Sequence, residues 1–400
     1  MIRTLWIESF KAFSDDPGRE APGITLQPFT VLVGPNGAGK STILQAIDTL
    51  GWLSNGTIKE MLDAHHWEYA DLAHLRDSHT KTSVEAEINL PDAPRMRWRL
   101  TLSSRRAPSV ASEWIRKEEG DAWRNIILRS GRNLARLPER EGLGEETTTL
   151  SLQSSWLATV DVKADRSHFP ALVELTQWAR RIRAYYFLDP VALRAPSRGK
   201  GEKFDELGLH GENLASFLGR IKSRRPSDFA RLIERVRAHY PRLVDIHVRR
   251  KSYGWTHLEI TEKWNGEEAT FNARQVSDGL LRLIAVAAMH EMREAPSVLL
   301  LDEIENGLHP RLLRGLVAML EELTRSGLTQ VIATTHSPIT LNYVSSPESV
   351  LLVTRAKGGG VQVTPMNATK GFQDLREHFE LGELWYNAGE ERLVPGGKGR

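Results

Sequence analysis

One run of nine residues constrains this chain more than any other: Gly34-Pro35-Asn36-Gly37-Ala38-Gly39-Lys40-Ser41-Thr42. It follows the apolar pentad FTVLV at 29–33 and leads into ILQAIDTLGWL, whose apolar residues recur with helical spacing. Strand, glycine-rich loop and helix, in that order, make up the setting in which G-x-x-x-x-G-K-[ST] cradles phosphate. The glycines let the backbone curl so that successive N–H groups face an anion. Lys40 has the reach for the outer phosphates, and the Ser41 hydroxyl is a hard oxygen ligand suited to Mg²⁺. The helix start adds its positive dipole. The alternative is a chance glycine-rich turn, and the flanking strand and helix argue against it.

A second constellation sits far downstream. Val298-Leu299-Leu300-Leu301 is a short apolar run that ends in Asp302-Glu303. Such a run predicts a strand buried on both faces, and α/β folds place ligands at the carboxyl ends of such strands. There Asp302 is placed to hold Mg²⁺, directly or through water, and Glu303 to activate an attacking water. A solvated acidic turn is the plain alternative.

The pattern between these landmarks is uneven. Strands are expected at 2–8, 29–33, 84–90, 96–102, 243–250, 255–263, 298–302, 330–335 and 349–355, with 84–90 and 96–102 paired antiparallel. Helices are expected after Lys40, over 171–187 up to a strand-like AYYFLD, over 211–240 with a break near Pro226, after Ser277 and over 310–326. Residues 103–170 are polar and irregular, and few elements can be placed there. Short apolar strands alternating with helices imply a parallel sheet covered by helices. No internal repeat or sustained heptad is present, which counts against a long coiled coil.

Composition removes several function classes. The chain has no cysteine, so disulfides, thiolate metal sites and a cysteine nucleophile are excluded. The N-terminus alternates like a strand, and no stretch approaches the ~18 consecutive apolar residues of a membrane span. A cytoplasmic protein without a membrane partner is therefore expected. The net charge of +2 gives no global field to recruit nucleic acid. Local basic clusters exist at Arg95/Arg97/Arg99, Arg105/Arg106, Arg180/Arg181/Arg183, Arg224/Arg225 and Arg249/Arg250/Lys251, whereas 139–146 is acidic. They keep nucleic-acid contact open beside the plainer reading of a wet protein surface.

Three further segments carry a family resemblance. Ser277-Asp278-Gly279-Leu280-Leu281-Arg282 resembles the signature motif of ABC-type ATPases in the RecF-, SMC- and OLD-like variant. Glu305-Asn306-Gly307-Leu308-His309-Pro310 resembles the dimer-contacting loop of those proteins, and Thr334-Thr335-His336-Ser337-Pro338 resembles their switch-histidine segment. All the motifs occur in the family's order. The chain thus resembles the AAA_21/AAA_15 group of RecF/SMC/OLD-like ATPases over 1–50 and 270–355, and poorly in between.

The resemblance implies an α/β ABC-type ATPase head, a P-loop fold of mixed sheet and flanking helices, with an inserted α+β lobe. The expected division is 1–90 for the first part of the head, 91–260 for the lobe, 261–365 for the second part and 366–400 for a tail. It implies ATP and Mg²⁺ as ligands. Gly34, Pro35, Asn36, Gly37, Ala38, Gly39, Lys40, Ser41 and Thr42 would hold the nucleotide, and Ser277 and Gly279 would reach it from a second copy. Ser41 and Asp302 would hold the metal, with Lys40, Glu303 and His336 as catalytic groups. Two copies would sandwich ATP as a homodimer, with larger assemblies open. Asn306 and His309 would shape that interface, unless they are a plain loop and helix start. Lys11 and Phe13 would approach the nucleotide, unless they form a surface loop.

The chain also departs from the family. No glutamine loop is identifiable, since 57–83 contains no Gln, and His74 or His79 would stand in its place. The tail has no D-x-D pair and is too short for a TOPRIM nuclease. Its segment FELGELWYNAGEERL at 379–393 resembles the end of stand-alone ATPases of bacterial antiphage systems, which act with a separately encoded effector. A helix packing Phe379, Leu384 and Trp385 on its own domain is the alternative. A regulator of a separate nuclease or toxin is therefore expected. The rivals are a DNA-repair ATPase that binds DNA directly and, less in keeping with the insert, a transporter subunit.

Overall fold

Antiparallel pairing builds the largest sheet. In the computed structural model, which describes residues 1–14, 23–74, 81–103, 108–137, 146–185, 189–198, 206–356, 359–369 and 371–393, two units organise the chain. The first contains Met1–Arg183 and Leu351–Pro365, and the second Ala184–Val350 and Met366–Arg400.

In the first unit, eight strands pair antiparallel in the order Ile24–Thr25, Ile2–Glu8, Lys81–Ile88, Met96–Ser103, Ser109–Glu119, Ala122–Ser130, Asn133–Arg136 and Glu146–Thr149. Trp98, Leu100 and Leu102 point into the core, while Arg97 and Arg99 alternate onto the other face. The same unit holds the fully buried strand Phe29–Val33 beside Val350–Arg355, which pairs antiparallel with Val361–Pro365. The helix Lys40–Leu53 follows the glycine-rich loop, and most of its side chains are buried.

In the second unit the apolar strand Val298–Leu301 runs parallel to Gln330–Thr335, both buried along their whole length. A separate small sheet is built around Trp255–Trp264, which pairs with Leu243–Arg250, Ser197–Arg198 and Glu267–Asn272. The buried helix Asp278–Met289 packs against Pro310–Thr324, Pro226–His239 and Pro190–Arg194. The predicted helix over 171–187 resolves into the helix Pro170–Ala179 and the strand Ile182–Tyr185, and Tyr186, Phe187 and Leu188 of AYYFLD lie outside the described residues. The break near Pro226 separates Leu214–Arg224 from Pro226–His239, with the proline at the first helical position, where its missing N–H costs nothing.

Among the described residues of the tail, the short helix Phe372–Arg376 precedes a longer one, Leu381–Leu393. It buries Leu381 and Leu384 and passes so close to Pro338 that a Cβ at Gly382 would collide with the Pro338 carbonyl. The Gly382 N–H donates to Asn342 Oδ1 at 2.7 Å. Leu384 thus packs on its own unit as one reading of the tail expected, whereas Phe379 is exposed.

Two buried polar groups stand out energetically. Glu113 is fully buried in the large sheet. It accepts from Trp98 Nε1 at 3.0 Å, Ser155 Oγ at 2.5 Å and the Trp156 N–H at 2.9 Å, and lies 3.5 Å from the buried Arg129 guanidinium. Removing one partner of such a network strands the others without solvent, at about 3–5 kcal/mol. Glu113→Ala is expected to lower the unfolding free energy of the first unit by that amount, measured by denaturant titration.

His290 ends the helix Asp278–Met289 with its Nε2 3.0 Å from the Met319 carbonyl, the geometry of a neutral ring that donates. Burial, aided by Arg235, pushes its pKa down to about 4, against the opposing pull of Glu322 and the Met319 carbonyl. Between that value and the ordinary value near 6.5, the unfolded chain binds the proton and the folded chain does not. Stability is therefore full above about pH 6.5 and lost as pH falls toward 4, by up to about 3 kcal/mol. In unfolding experiments across this range, His290→Gln is expected to flatten the loss.

Candidate active site

The loop between Val33 and Lys40 owes its shape to backbone that only glycine tolerates. Gly34 has φ 154° and lies so close to Val353 that a Cβ would collide with that residue's carbonyl oxygen. Gly39 caps the following helix at φ 111°. Lys40 is almost fully buried, and its Nζ donates to the carbonyls of Gly34 at 2.8 Å and Pro35 at 2.9 Å. The ammonium is thus held inside the curl. Asn36 and Gly37 at the tip are exposed, and Ser41 is half-buried at the first turn of the helix. Arg355 braces the outside, donating to the carbonyls of Gly37 at 3.1 Å, Ala12 at 3.0 Å and Gly359 at 2.7 Å. This brace lies far from the loop in sequence, and no local signal marks it.

Lys11 lies in the same unit. It has φ 49°, and its ammonium sits 3.3 Å over the centre of the Trp67 ring. Burial lowers its pKa to about 8, opposed by Asp71. Phe13 is buried and Lys11 half-buried. His74 donates its N–H to the Ser9 carbonyl at 3.2 Å, and His79 lies outside the described residues.

In the second unit the acid pair emerges at the end of Val298–Leu301. Glu303 takes a left-handed φ of 50°, a conformation that costs a non-glycine residue of order 1–3 kcal/mol and clusters at functional sites. The neighbouring strand holds it there. The Glu303 N–H donates to Thr334 Oγ1 at 2.7 Å, the Thr334 hydroxyl donates to Asp302 Oδ1 at 2.5 Å, and the Ile304 N–H donates to the Thr334 carbonyl at 3.1 Å. The Asn306 amide donates to Glu303 Oε2 at 2.5 Å, and His336 Nε2 lies 3.7 Å from Glu303 Oε1. The Glu303 and His336 side chains are both partly exposed. The structure therefore brings Asp302, Glu303, Asn306 and His336 together.

Glu305 completes the cluster. Its carboxylate accepts from the His336 N–H at 2.5 Å and from the Thr335 hydroxyl at 2.8 Å. Nothing in the sequence singles out Thr334 or Glu305 for such a role. Their partners are about thirty residues away, and only the parallel pairing of the two strands joins them.

The segment resembling a signature motif starts the helix Asp278–Met289, with Ser277 as its N-cap accepting from the Leu280 N–H. Gly279 is buried against Leu308 and Leu312, and a Cβ there would lie 2.8 Å from Leu312 Cδ1. Arg194 forms an ion pair with Asp278 and donates to the Val276 carbonyl at 3.0 Å. Arg282 lies beneath Gly307, and its burial lowers its pKa to about 10 against the pull of Asp278 and Asp189. His309 caps the helix Pro310–Thr324, its Nδ1 accepting from the Arg311 N–H at 3.3 Å. That is the plain helix-start role.

The family model AAA_21, described as "AAA domain, putative AbiEii toxin, Type IV TA system", matches residues 29–342. The chain belongs to the AAA_21 family. Its mixed α/β fold of large sheets and flanking helices is similar to that of SMC heads. No curated protein matches the sequence of this AAA_21 ATPase. Among solved structures it is similar to an SMC head bound to the C-winged helix domain of ScpA, at 16% identity, 91% coverage of this chain, 96% of that chain and a TM-score of 0.56. It is also similar to an SMC head with an extended coiled coil bound to the C-terminal domain of ScpA, from Pyrococcus furiosus, at 15% identity, 94% and 98% coverage and a TM-score of 0.54. At such identities the likeness is one of fold. No helix among the described residues is long and apolar enough to cross a membrane.

Most of the basic clusters are spent inside the protein. Arg95 pairs with Glu118 and Glu87, Arg97 with Glu85, and Arg99 with Glu8 and Glu85, so MRWRL is an ion-pair ladder and not an open cationic strip. Arg180 donates to the carbonyls of Leu157 and Val160, and Arg225 to the Glu291 carbonyl. Arg105 and Arg106 lie outside the described residues.

Proposed function

We propose that this AAA_21 ATPase binds and hydrolyses MgATP, pairs with a second copy around the nucleotide, and thereby regulates a separately encoded effector in antiphage defence or genome maintenance. The observation that carries the catalytic part is Glu303. A carboxylate held in a left-handed backbone conformation by Thr334, oriented by Asn306 and faced by His336, is built to accept a proton from water.

The residues fit MgATP chemically. Lys40 is a buried ammonium held among loop carbonyls, in a curl that leaves no room for a Cβ at Gly34. The Ser41 hydroxyl and Asp302 carboxylate are hard oxygen donors, the kind Mg²⁺ accepts beside phosphate oxygens and water. Bound Mg²⁺ would neutralise charge on the phosphates during transfer.

In this reading the loop Gly34–Thr42 holds the phosphates through its backbone N–H groups, all but that of Pro35, which has none, and Lys40 stabilises the outer ones. Glu303 takes the proton from the attacking water. His336 is fixed through its backbone by Glu305 and stabilises the terminal phosphate. Ser277 and Gly279 act on the nucleotide of the partner copy from the positive end of their helix. Head segments at 1–90 and 261–365, a lobe at 91–260 and a tail at 366–400 belong to the same reading, as does a cytoplasmic setting. The test is phosphate release from MgATP by the full chain. Sustained turnover that depends on Lys40 and Glu303 supports the reading, and its absence refutes hydrolysis.

A further inference from the structure

The small sheet of the second unit has one face turned inward and one turned outward. Thr256, Leu258 and Ile260 are buried, and Gly219 of the helix Leu214–Arg224 lies against Val248 and Thr256. Alternation therefore puts Trp255, His257 and Glu259 on the other face. The register sets Arg198 opposite Trp255, Arg249 opposite His257 and Asn272 opposite Glu259. A cavity of about 260 Å³ opens there, and its polar lining is Arg194, Lys251, His257, Glu259, Asn272 and Arg274.

The charge at this cavity is one-sided. Glu259 is its single lining carboxylate, and Arg249 engages it at 2.5 Å. Arg194 is turned to Asp278 and the Val276 carbonyl. Lys251 and Arg274 are exposed and hold no ion pair among the described residues. Two exposed aromatic rings follow Lys251 in the chain. Tyr253, at φ 61° in the turn between the strands, is 86% exposed, and Trp255 is 44% exposed. Neither ring adds to the core, and the turn sets both beside Lys251.

Cations that track phosphate, next to exposed rings that accept a flat partner, form the combination that binds single-stranded nucleic acid. A duplex hides its base faces, so exposed aromatics suit an unpaired strand. The cavity lies just under the roughly 300 Å³ typical of small-molecule pockets, a size that suits a sugar-phosphate unit with its base outside. We propose that this outer sheet face binds a single-stranded nucleic acid, with Lys251, Arg274 and His257 on the backbone and Trp255 and Tyr253 stacking on bases. Arg194 joins the cavity to Asp278, so the strand would sit next to the start of the helix that carries Ser277 and Gly279. This inference goes beyond the nucleotide reading and does not depend on it.

The experiment is fluorescence anisotropy of a 5′-fluorescein 20-nucleotide oligothymidylate titrated with the full chain. Lys251→Ala combined with Arg274→Ala is expected to weaken binding at least about tenfold. It is also expected to reduce the slope of log affinity against log salt by about 1.4, since each phosphate neutralised on a single strand contributes about 0.7. Trp255→Ala is expected to weaken binding about fivefold or more, with an unlabelled duplex of equal length competing poorly. MgATP affinity, measured on the same variants, is expected to be unchanged, which shows that they fold. Absence of binding by the wild type, or binding indifferent to all three substitutions, overturns the proposal. So does displacement by inorganic pyrophosphate together with indifference to Trp255→Ala, which would make the ligand a free phosphate. Failure of the wild type to bind ATP would sink the proposed function and leave this result standing.

Discussion

Glu303→Gln is expected to retain MgATP and to lose turnover by about a hundredfold or more, the share general-base catalysis supplies. Glutamine matches glutamate in size, and the side chain is partly exposed, so the fold has little reason to respond. The backbone bond from the Glu303 N–H to Thr334 does not involve the carboxylate and survives. What disappears is the acceptor for the water proton. Without that acceptor the ATP-bound form accumulates. Stopped-flow binding of a fluorescent ATP analogue, set beside steady-state phosphate release, separates the two effects. Loss of binding would mean that Glu303 serves the fold of the loop and not the chemistry.

Lys40→Ala is expected to act one step earlier. The buried ammonium supplies charge-assisted hydrogen bonds, each worth about 1.5–3 kcal/mol, so nucleotide affinity should fall by about tenfold to a hundredfold or more. Turnover should become undetectable. The carbonyls of Gly34 and Pro35 lose their donor in a buried setting, so the first unit should also melt earlier. Lys40→Arg retains the charge but not the compact fit, and should rescue stability more than turnover. Isothermal titration with MgATP and a thermal melt of each variant measure both consequences.

The two landmarks that proved legible from sequence are local. The loop at 34–42 is contiguous, and Lys40 meets the Gly34 and Pro35 carbonyls within it. The apolar strand before Asp302 and Glu303 is likewise a short uninterrupted signal. The strands between 103 and 170 were not legible. Register shifts that leave Ala111 unpaired opposite Thr101/Leu102, and Ile126 unpaired opposite Ile115/Arg116, break the period of two. The buried position 113 is a glutamate, and the outer face is built from arginine–glutamate pairs and arginines over Trp6, Trp114 and Trp123. A pattern search for apolar alternation passes over such strands.

The supporting residues of the candidate site were hidden for a related reason. Arg355, Thr334 and Glu305 act on segments brought near by strand pairing, and although Thr334 and Glu305 fall within family-like segments, those segments do not reveal their partners. Charge clusters misled in the opposite direction. The arginines at 95, 97 and 99 look free until the register places Glu8, Glu85, Glu87 and Glu118 beside them. In the cluster at 249–251, Arg249 is taken up by Glu259, and Lys251 keeps its charge outward.

The most direct test of the central claim is the solution mass of Glu303→Gln, by light scattering, with and without MgATP. Nucleotide-driven pairing predicts that MgATP doubles the mass or raises it to a larger multiple, that ADP does not, and that wild type shows the change only transiently. A mass unchanged by MgATP at concentrations that saturate the nucleotide site would contradict the account.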